Sequence, residues 1–235
     1  NNKALLCRFH VQTAGSSLQA QQIDNNIVRT TIQGLAAVLG GTQSLHTNSK
    51  DEALSLPTEE AAKLALRTQQ VIAYESGVTD VVDPLSGSYY IESLTNEIEK
   101  KASKLIKEID EIGGAIPAIE NHFQDNKISN SAYEYQKQIE EKKQIIVGTN
   151  KFIETHDENH ETLIIDQNAI DNQLKRLKKF KQNRNTENVE NALSILNKSI
   201  QNNSNLLEPI IKCIKANCTL GEITLTMKNH FGEHI

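Results

Sequence analysis

Apolar and polar side chains alternate along residues 3–12. Leu5, Cys7, Phe9 and Val11 fall on one face, and Leu6, Arg8, His10 and Gln12 on the other. This is the two-residue period of a strand, with polar groups gathered at its C-terminal end. The plain alternative is an ordinary amphipathic edge strand. A turn of small residues, 13–17, follows, and its Gly15 allows positive φ or close approach of a ligand to the backbone. From Asn25 or Asn26, which can cap, the spacing of Ile27, Val28, Ile32, Leu35, Ala36 and Leu39 predicts a helix stopped by Gly40 and Gly41. Residues 42–47 then read as a second short strand. Strand, helix, strand with tight connections is a βαβ unit, so the two strands should pair in parallel.

A loop over 48–56 leads to Pro57, suited to the first turn of a helix over 57–75 with Ala61, Leu64, Ala65, Val71 and Ile72 near one face. After Gly77 the character changes. A Pro-Leu-Ser-Gly turn and an extended stretch through Tyr89, Tyr90 and Ile91 precede a strongly periodic helix from Leu94 to Ile112. Further helices are predicted over 131–143, 167–182, 187–201, 206–216 and 221–231. Residues 145–150 and 162–166 suit short strands or connectors, and 180–187 reads as an exposed linker. The expected fold class is α/β: the last two βα units of a (β/α)8 barrel, residues 1–76, then a mainly helical extension and linker, residues 77–235. Two such units cannot close a barrel of about eight strands, so this reading puts the others upstream of Asn1, in line with the absent initiator Met.

Composition adjusts this picture only in places. Hydrophobic residues are 37% and aromatics 4%, with no Trp, which suits helices better than a β-sandwich. The net charge of −5 is read as spread without a basic patch, which gives no electrostatic case for nucleic acid. Three cysteines, Cys7, Cys213 and Cys218, lack paired spacing and read as free thiols in a reducing compartment. No run is long and apolar enough for a membrane span, and no secretory signal is present.

Common catalytic signatures (GxSxG, a P-loop, GxGxxG opening a helix, HExxH) are absent. Among seven histidines, only His156 with His160 and His230 with His234 have helical metal-ligand spacing. The first pair sits in a polar connector and the second straddles Gly232, so neither is taken as a metal site. His10, Gln12, Gln43 and Ser44 remain, at the ends of parallel strands, where barrels bind ligands. They are neutral hydrogen-bonding groups without an acid–base pair, a lining suited to holding a reactive species while a cofactor does the hard chemistry.

The stretches RFHVQTAGSSLQAQQ, LAAVLGGTQSLHTNSKDEALSLPTEEAAKLALRTQ, ESGVTDVVDPLSGSYYIESLT, EIGGAIPAIE, IIVGTNKF and LGEIT closely resemble the adenosylcobalamin-dependent acyl-CoA mutases, the methylmalonyl-CoA mutase family. GGTQSLHTN followed by DEALSLPTE is the most specific part, and residues 121–143 depart most. The resemblance implies a barrel pierced along its axis by acyl-CoA and capped by a cobalamin domain. It places His10 and Gln12 on the seventh strand facing the substrate, and Gln43 and Ser44 on the eighth, toward the CoA thioester. Gly15, Glu52, Ala53 and Ser55 match positions against the corrin, although Ser55 stands where a small apolar residue is more usual. Asn25, Asn26 and Arg29 match structural positions.

The activity implied is an isomerase reaction, the radical interconversion of methylmalonyl-CoA and succinyl-CoA. The alternatives are a sister mutase acting on isobutyryl-, 2-hydroxyisobutyryl- or ethylmalonyl-CoA, or a non-catalytic stabilising subunit. The family's acyl-reading Arg and Tyr and its catalytic His would precede Asn1, and its cobalt-ligating loop would follow Ile235. No catalytic or metal-binding residue is therefore expected here, and the fragment alone should be inactive. Implied partners are an acyl-CoA, a cobalamin-binding domain or subunit and a homologous mutase chain in a dimer, in the cytoplasm or, in a eukaryote, the mitochondrial matrix.

Overall fold

The computed structural model describes residues 2–154 and 162–233. The protein is a mainly helical α/β chain with two compact units, Asn1–Leu163 and Ile164–Ile235. The boundary expected at residue 76 falls inside the first unit. His156, His160 and His234 lie outside the described residues.

The first unit contains strands β1 (His10–Gln12) and β2 (Ser44–His46), which pair in parallel with His10 opposite Ser44, Val11 opposite Leu45 and Gln12 opposite His46. Helix α1 (Asn25–Leu39) makes the crossover, and α2 (Glu59–Glu75) follows β2. The expected strand over 3–12 is shorter than its alternation. Ala4–Leu6 is a 3-10 turn ended by Cys7 at φ 41°. Among the described residues 3–9 have no ladder partner, and unpaired extended backbone has no advantage over a turn.

The buried face of α1 also differs from its apolar stripe. Asn26, Thr30 and Gly34 face inward, whereas Val28 is 58% and Ile32 63% exposed. Close approach explains the inward glycine. A Cβ on Gly34 would lie 3.2 Å from Ile72 Cδ1 on α2 and 3.7 Å from Leu45 Cδ2 on β2. A side chain there would press on Ile72, and the bare backbone lets the three elements approach without that displacement. Helix α2 starts at the Thr58 cap, whose hydroxyl accepts from Ala61 N at 3.3 Å, and Pro57 precedes the cap instead of entering the first turn. Ala61, Thr68 and Ile72 are its buried residues.

Helix α3 (Tyr89–Ile112) absorbs the stretch expected to be extended. Gly87 N donates to Glu92 Oε1 at 3.1 Å, so a first-turn carboxylate holds the entry and overrides the strand preference of the two tyrosines. A short α4 (Ala115–Glu120) was not foreseen, and α5 (Phe123–Glu140) begins earlier than the 131 expected. Residues 145–150 form a tight turn, with one parallel bridge from Val147 to Lys151. Arg29 Nη2 donates to Val147 O at 2.7 Å and Gln22 Nε2 to Phe152 O at 2.9 Å, tying this segment to the start of α1.

Residues 162–166 are not a strand, and in the second unit Asp166 caps α6 (Gln167–Asn183) by accepting from Asn168 N at 2.9 Å. Helices α7 (Thr186–Gln201), α8 (Leu207–Lys215) and α9 (Leu220–Phe231) complete it. Phe180 to Asn183, read as linker, are the last turn of α6. Val189, Ala192, Leu196 and Ile200 of α7 pack on Cys213, Cys218 and Ile223 as the core. Arg184 closes the bundle by a two-pronged pair with Glu222, at 2.7 and 2.5 Å, and donates to Asn217 O at 3.0 Å. Glu222 also completes a capping box with Thr219. Charge is not evenly spread, because α6 gathers Lys175, Arg176, Lys178, Lys179 and Lys181.

Candidate functional site

The parallel register aligns the sequence-selected residues in pairs. His10 Nδ1 is hydrogen-bonded to the Ser44 hydroxyl directly opposite, and Phe9 N donates to Gln43 Oε1 at 2.7 Å. Gln43 Nε2 also donates to Gly41 O at 2.8 Å, so its carboxamide is oriented from both ends. All four side chains selected on the strands, His10, Gln12, Gln43 and Ser44, are exposed.

Past the strand ends, the ladder runs on through Thr13. Its N–H donates to His46 O at 3.0 Å, and its hydroxyl accepts from Asn48 N at 2.9 Å. These bonds fix Asn48, which is almost fully buried, between the two strand-end loops. Gln12 Nε2 donates to Asn48 Oδ1 at 3.1 Å, and Asn48 Nδ2 donates to Glu52 Oε1 at 3.3 Å. Gly15 sits against the same pair: a Cβ there would stand 3.1 Å from Asn48 Nδ2 and 3.4 Å from Glu52 Oε1. Gln12, Gly15 and Glu52 thus meet around Asn48, a residue that sequence reasoning did not single out. Its signal was present, as the polar residue directly after a strand inside GGTQSLHTN.

Ala53 and Ser55 lie on the next turn without joining this chain of bonds. The Ser55 hydroxyl donates to Leu56 O at 2.9 Å, within its own loop. That turn is anchored by Asp51, whose Oδ2 accepts from Thr58 N and from the Thr58 hydroxyl, each at 2.9 Å. Burial pushes the Asp51 carboxyl pKa up, but the Thr58 hydrogen bonds, with the Ser49 hydroxyl and the backbone, together outweigh it and hold the group below its usual value. Behind it a cavity of about 220 Å³ is lined by His46, Ser49, Glu52, Pro57 and Gln69. Among the described residues no group of three or more His, Cys, Asp or Glu could hold a metal ion.

The chain is a mainly helical α/β protein with, among the described residues, one parallel strand pair. The pair does not gather all the selected residues at its carboxyl ends. His10 and Ser44 open β1 and β2, Gln43 precedes β2, and only Gln12 stands at a carboxyl end, beside Asn48 and Glu52. Residues 1–233 match the model of the methylmalonyl-CoA mutase family, and the chain belongs to that family. It is 45% identical over 236 aligned residues to the mitochondrial methylmalonyl-CoA mutase of Bos taurus, covering all of this chain and 32% of that protein. To the probable mitochondrial methylmalonyl-CoA mutase of Caenorhabditis elegans it is 43% identical, again covering 100% of this chain and 32% of the relative. To the methylmalonyl-CoA mutase of Cereibacter sphaeroides it is 42% identical, over 98% of this chain and 33% of the relative. The chain therefore spans about a third of the length of the relatives it matches.

Proposed function

We propose that this chain forms one wall of the acyl-CoA channel in an adenosylcobalamin-dependent methylmalonyl-CoA mutase, with β1 and β2 as two strands of a (β/α)8 barrel and residues 1–76 as its barrel part. The observation that carries the reading is the His10–Ser44 bond across the strand starts and the Gln12–Asn48–Glu52 bonding at their carboxyl ends, in a chain that matches the mutase family along nearly its whole length. In this reading His10, Gln12, Gln43 and Ser44 touch the acyl-CoA. The partners are the cobalamin-binding domain or subunit and a homologous mutase chain, in the cytoplasm or the mitochondrial matrix. Among the described residues no helix is long and apolar enough to cross a membrane.

Gly15, Glu52, Ala53 and Ser55 would lie against the corrin. The fit rests on the bare Gly15 backbone, where a Cβ would crowd Asn48 and the exposed Glu52 carboxylate, and on the exposed Ala53 that follows Glu52 in the chain. Bare backbone beside a carboxylate, with an exposed methyl on the following turn, suits the face of a flat macrocycle that carries amide arms. When bound, that group supplies homolytic radical chemistry.

The contribution of this chain is binding and orientation. Ser44 holds the His10 ring by Nδ1, which leaves Nε2 for a ligand. Gln43 keeps one amide hydrogen free after its bond to Gly41 and can offer it to a carbonyl oxygen. Gln12 donates to Asn48 and retains its carbonyl oxygen as an acceptor. Neutral groups of this kind position a substrate and exclude water without adding or removing a proton, which suits a rearrangement with no net proton transfer.

A chimera tests this directly: the chain replaces its counterpart in the bovine relative, and methylmalonyl-CoA is supplied with adenosylcobalamin. Succinyl-CoA should form. Gln43→Ala in the chimera should lower kcat/KM by about 2- to 10-fold, the loss of one neutral hydrogen bond of about 0.5–1.5 kcal/mol. A folded chimera that binds the cofactor but makes no succinyl-CoA overturns the reading, and unchanged kinetics removes Gln43 from the site.

A further inference from the structure

Helix α6 is exposed along its whole length, and the core of the second unit is built from α7, α8, α9 and the segments joining them, without any residue of α6. Its sequence is nevertheless amphipathic. Ile170, Leu174, Leu177 and Phe180 recur at helical spacing as a ridge, and all four are exposed. Around the ridge the helix carries five cations, Lys175, Arg176, Lys178, Lys179 and Lys181, against one carboxylate, Asp171. Lys181 shares Glu222 with Arg184, whereas the other four cations form no ion pair with a described residue. Beside the ridge lies a groove of about 470 Å³, lined by Gln173, Arg176, Leu177, Phe180 and Asn183 and bounded by Asn217.

We propose that α6 is a docking surface for an acidic amphipathic helix of a partner protein. Three features select this occupant. The clustered cations, four of them without an ion pair to a described residue, call for a partner of opposite charge, which gives register and association rate. The ridge offers apolar anchors at the spacing by which one helix reads another. The groove presents the Gln173 and Asn183 carboxamides, directional groups that a lipid bilayer would leave unmatched. A nucleic acid would find an apolar ridge along the helix and a chain of net charge −5.

The probe is a fluorescein-labelled synthetic peptide of Leu and Glu in amphipathic helical order, compared with a scrambled isomer of the same composition. Anisotropy titration of the 235-residue chain should show binding of the ordered peptide, with the isomer about tenfold weaker because it lacks an apolar face. Added salt should weaken binding steadily, as charges within a Debye length are screened. Arg176→Glu combined with Lys179→Glu should reduce affinity about tenfold or more through like-charge repulsion, and the milder Arg176→Gln with Lys179→Gln should fall between. Helical circular dichroism identical to the parent confirms that the variants fold. Equal binding of both peptides, or none, overturns the proposal. So does binding of phosphatidylglycerol vesicles or duplex DNA in place of the peptide, which would assign the surface to a membrane or a nucleic acid.

Discussion

Asn26 uses both ends of its carboxamide inside the fold. Its oxygen accepts from Gln19 N at 3.0 Å and Arg29 Nη1 at 2.7 Å, and its nitrogen donates to Gln19 O and Lys50 O, each at 2.8 Å. One fully buried residue thereby joins the turn after β1, the first turn of α1 and the loop after β2. Asn26→Ala leaves backbone groups on both loops unsatisfied and should destabilise the first unit by about 2–4 kcal/mol, read as a lower urea midpoint. The sequence marked Asn26 as a cap or a structural position. Its reach to Gln19 and Lys50 was not legible, because those contacts depend on how two loops return to the same helix end. The thiols show the same contrast between type and place. Cys213 and Cys218 are buried and Cys7 is exposed; burial pushes the Cys213 thiol up to about 11 and raises Cys218 as well. Titration with a thiol-reactive disulfide should find one fast thiol in the native chain and all three in denaturant.

Among the elements, legibility follows how local the determinants are. Helix α1 spans the range expected and Gly40 ends it, but its N-cap is Asp24, and Asn25 and Asn26 lie inside the helix instead of capping it. The parallel pairing of β1 with β2 follows from the tight βαβ connections. The strand lengths could not be read from alternation, since a strand extends only as far as another backbone pairs with it. The inward face of α1 was misread for a related reason: Gly34 is chosen for contact distance, which hydrophobicity does not report. Of the candidate site, the strand residues and Gly15 could be picked from residue type and position. The bonding through Asn48 required the register. At the helix α9 start, Glu222 gives an element-scale prediction. The Arg184 guanidinium holds its carboxyl down from 4.5 to about 2, against the opposing effect of burial. A folded-state pKa below the unfolded one means stability that is fully present above 4.5 and lost progressively as pH falls toward 2. Glu222→Gln should flatten that acid slope in thermal melts and cost on the order of 1–3 kcal/mol at neutral pH, by leaving Arg184 partly unpaired.

On the scale of the whole chain, the two compact units differ in how they satisfy themselves. The second closes a core of its own from α7, α8 and α9, with the Arg184–Glu222 pair across it. Residues 164–235 expressed alone should therefore keep a helical circular dichroism spectrum and melt cooperatively; a featureless melt would count against an autonomous unit. The first unit is organised around β1 and β2, each only three residues long and each paired on a single side. Among the described residues their outer edges meet no third strand, and Leu5, Leu6 and Phe9 stand exposed beside β1. Such a ribbon is a template onto which foreign strands can zip. The same two strands that we propose as the ligand wall should therefore make the isolated chain adhesive, with its solubility in the test tube tied to whatever covers those edges.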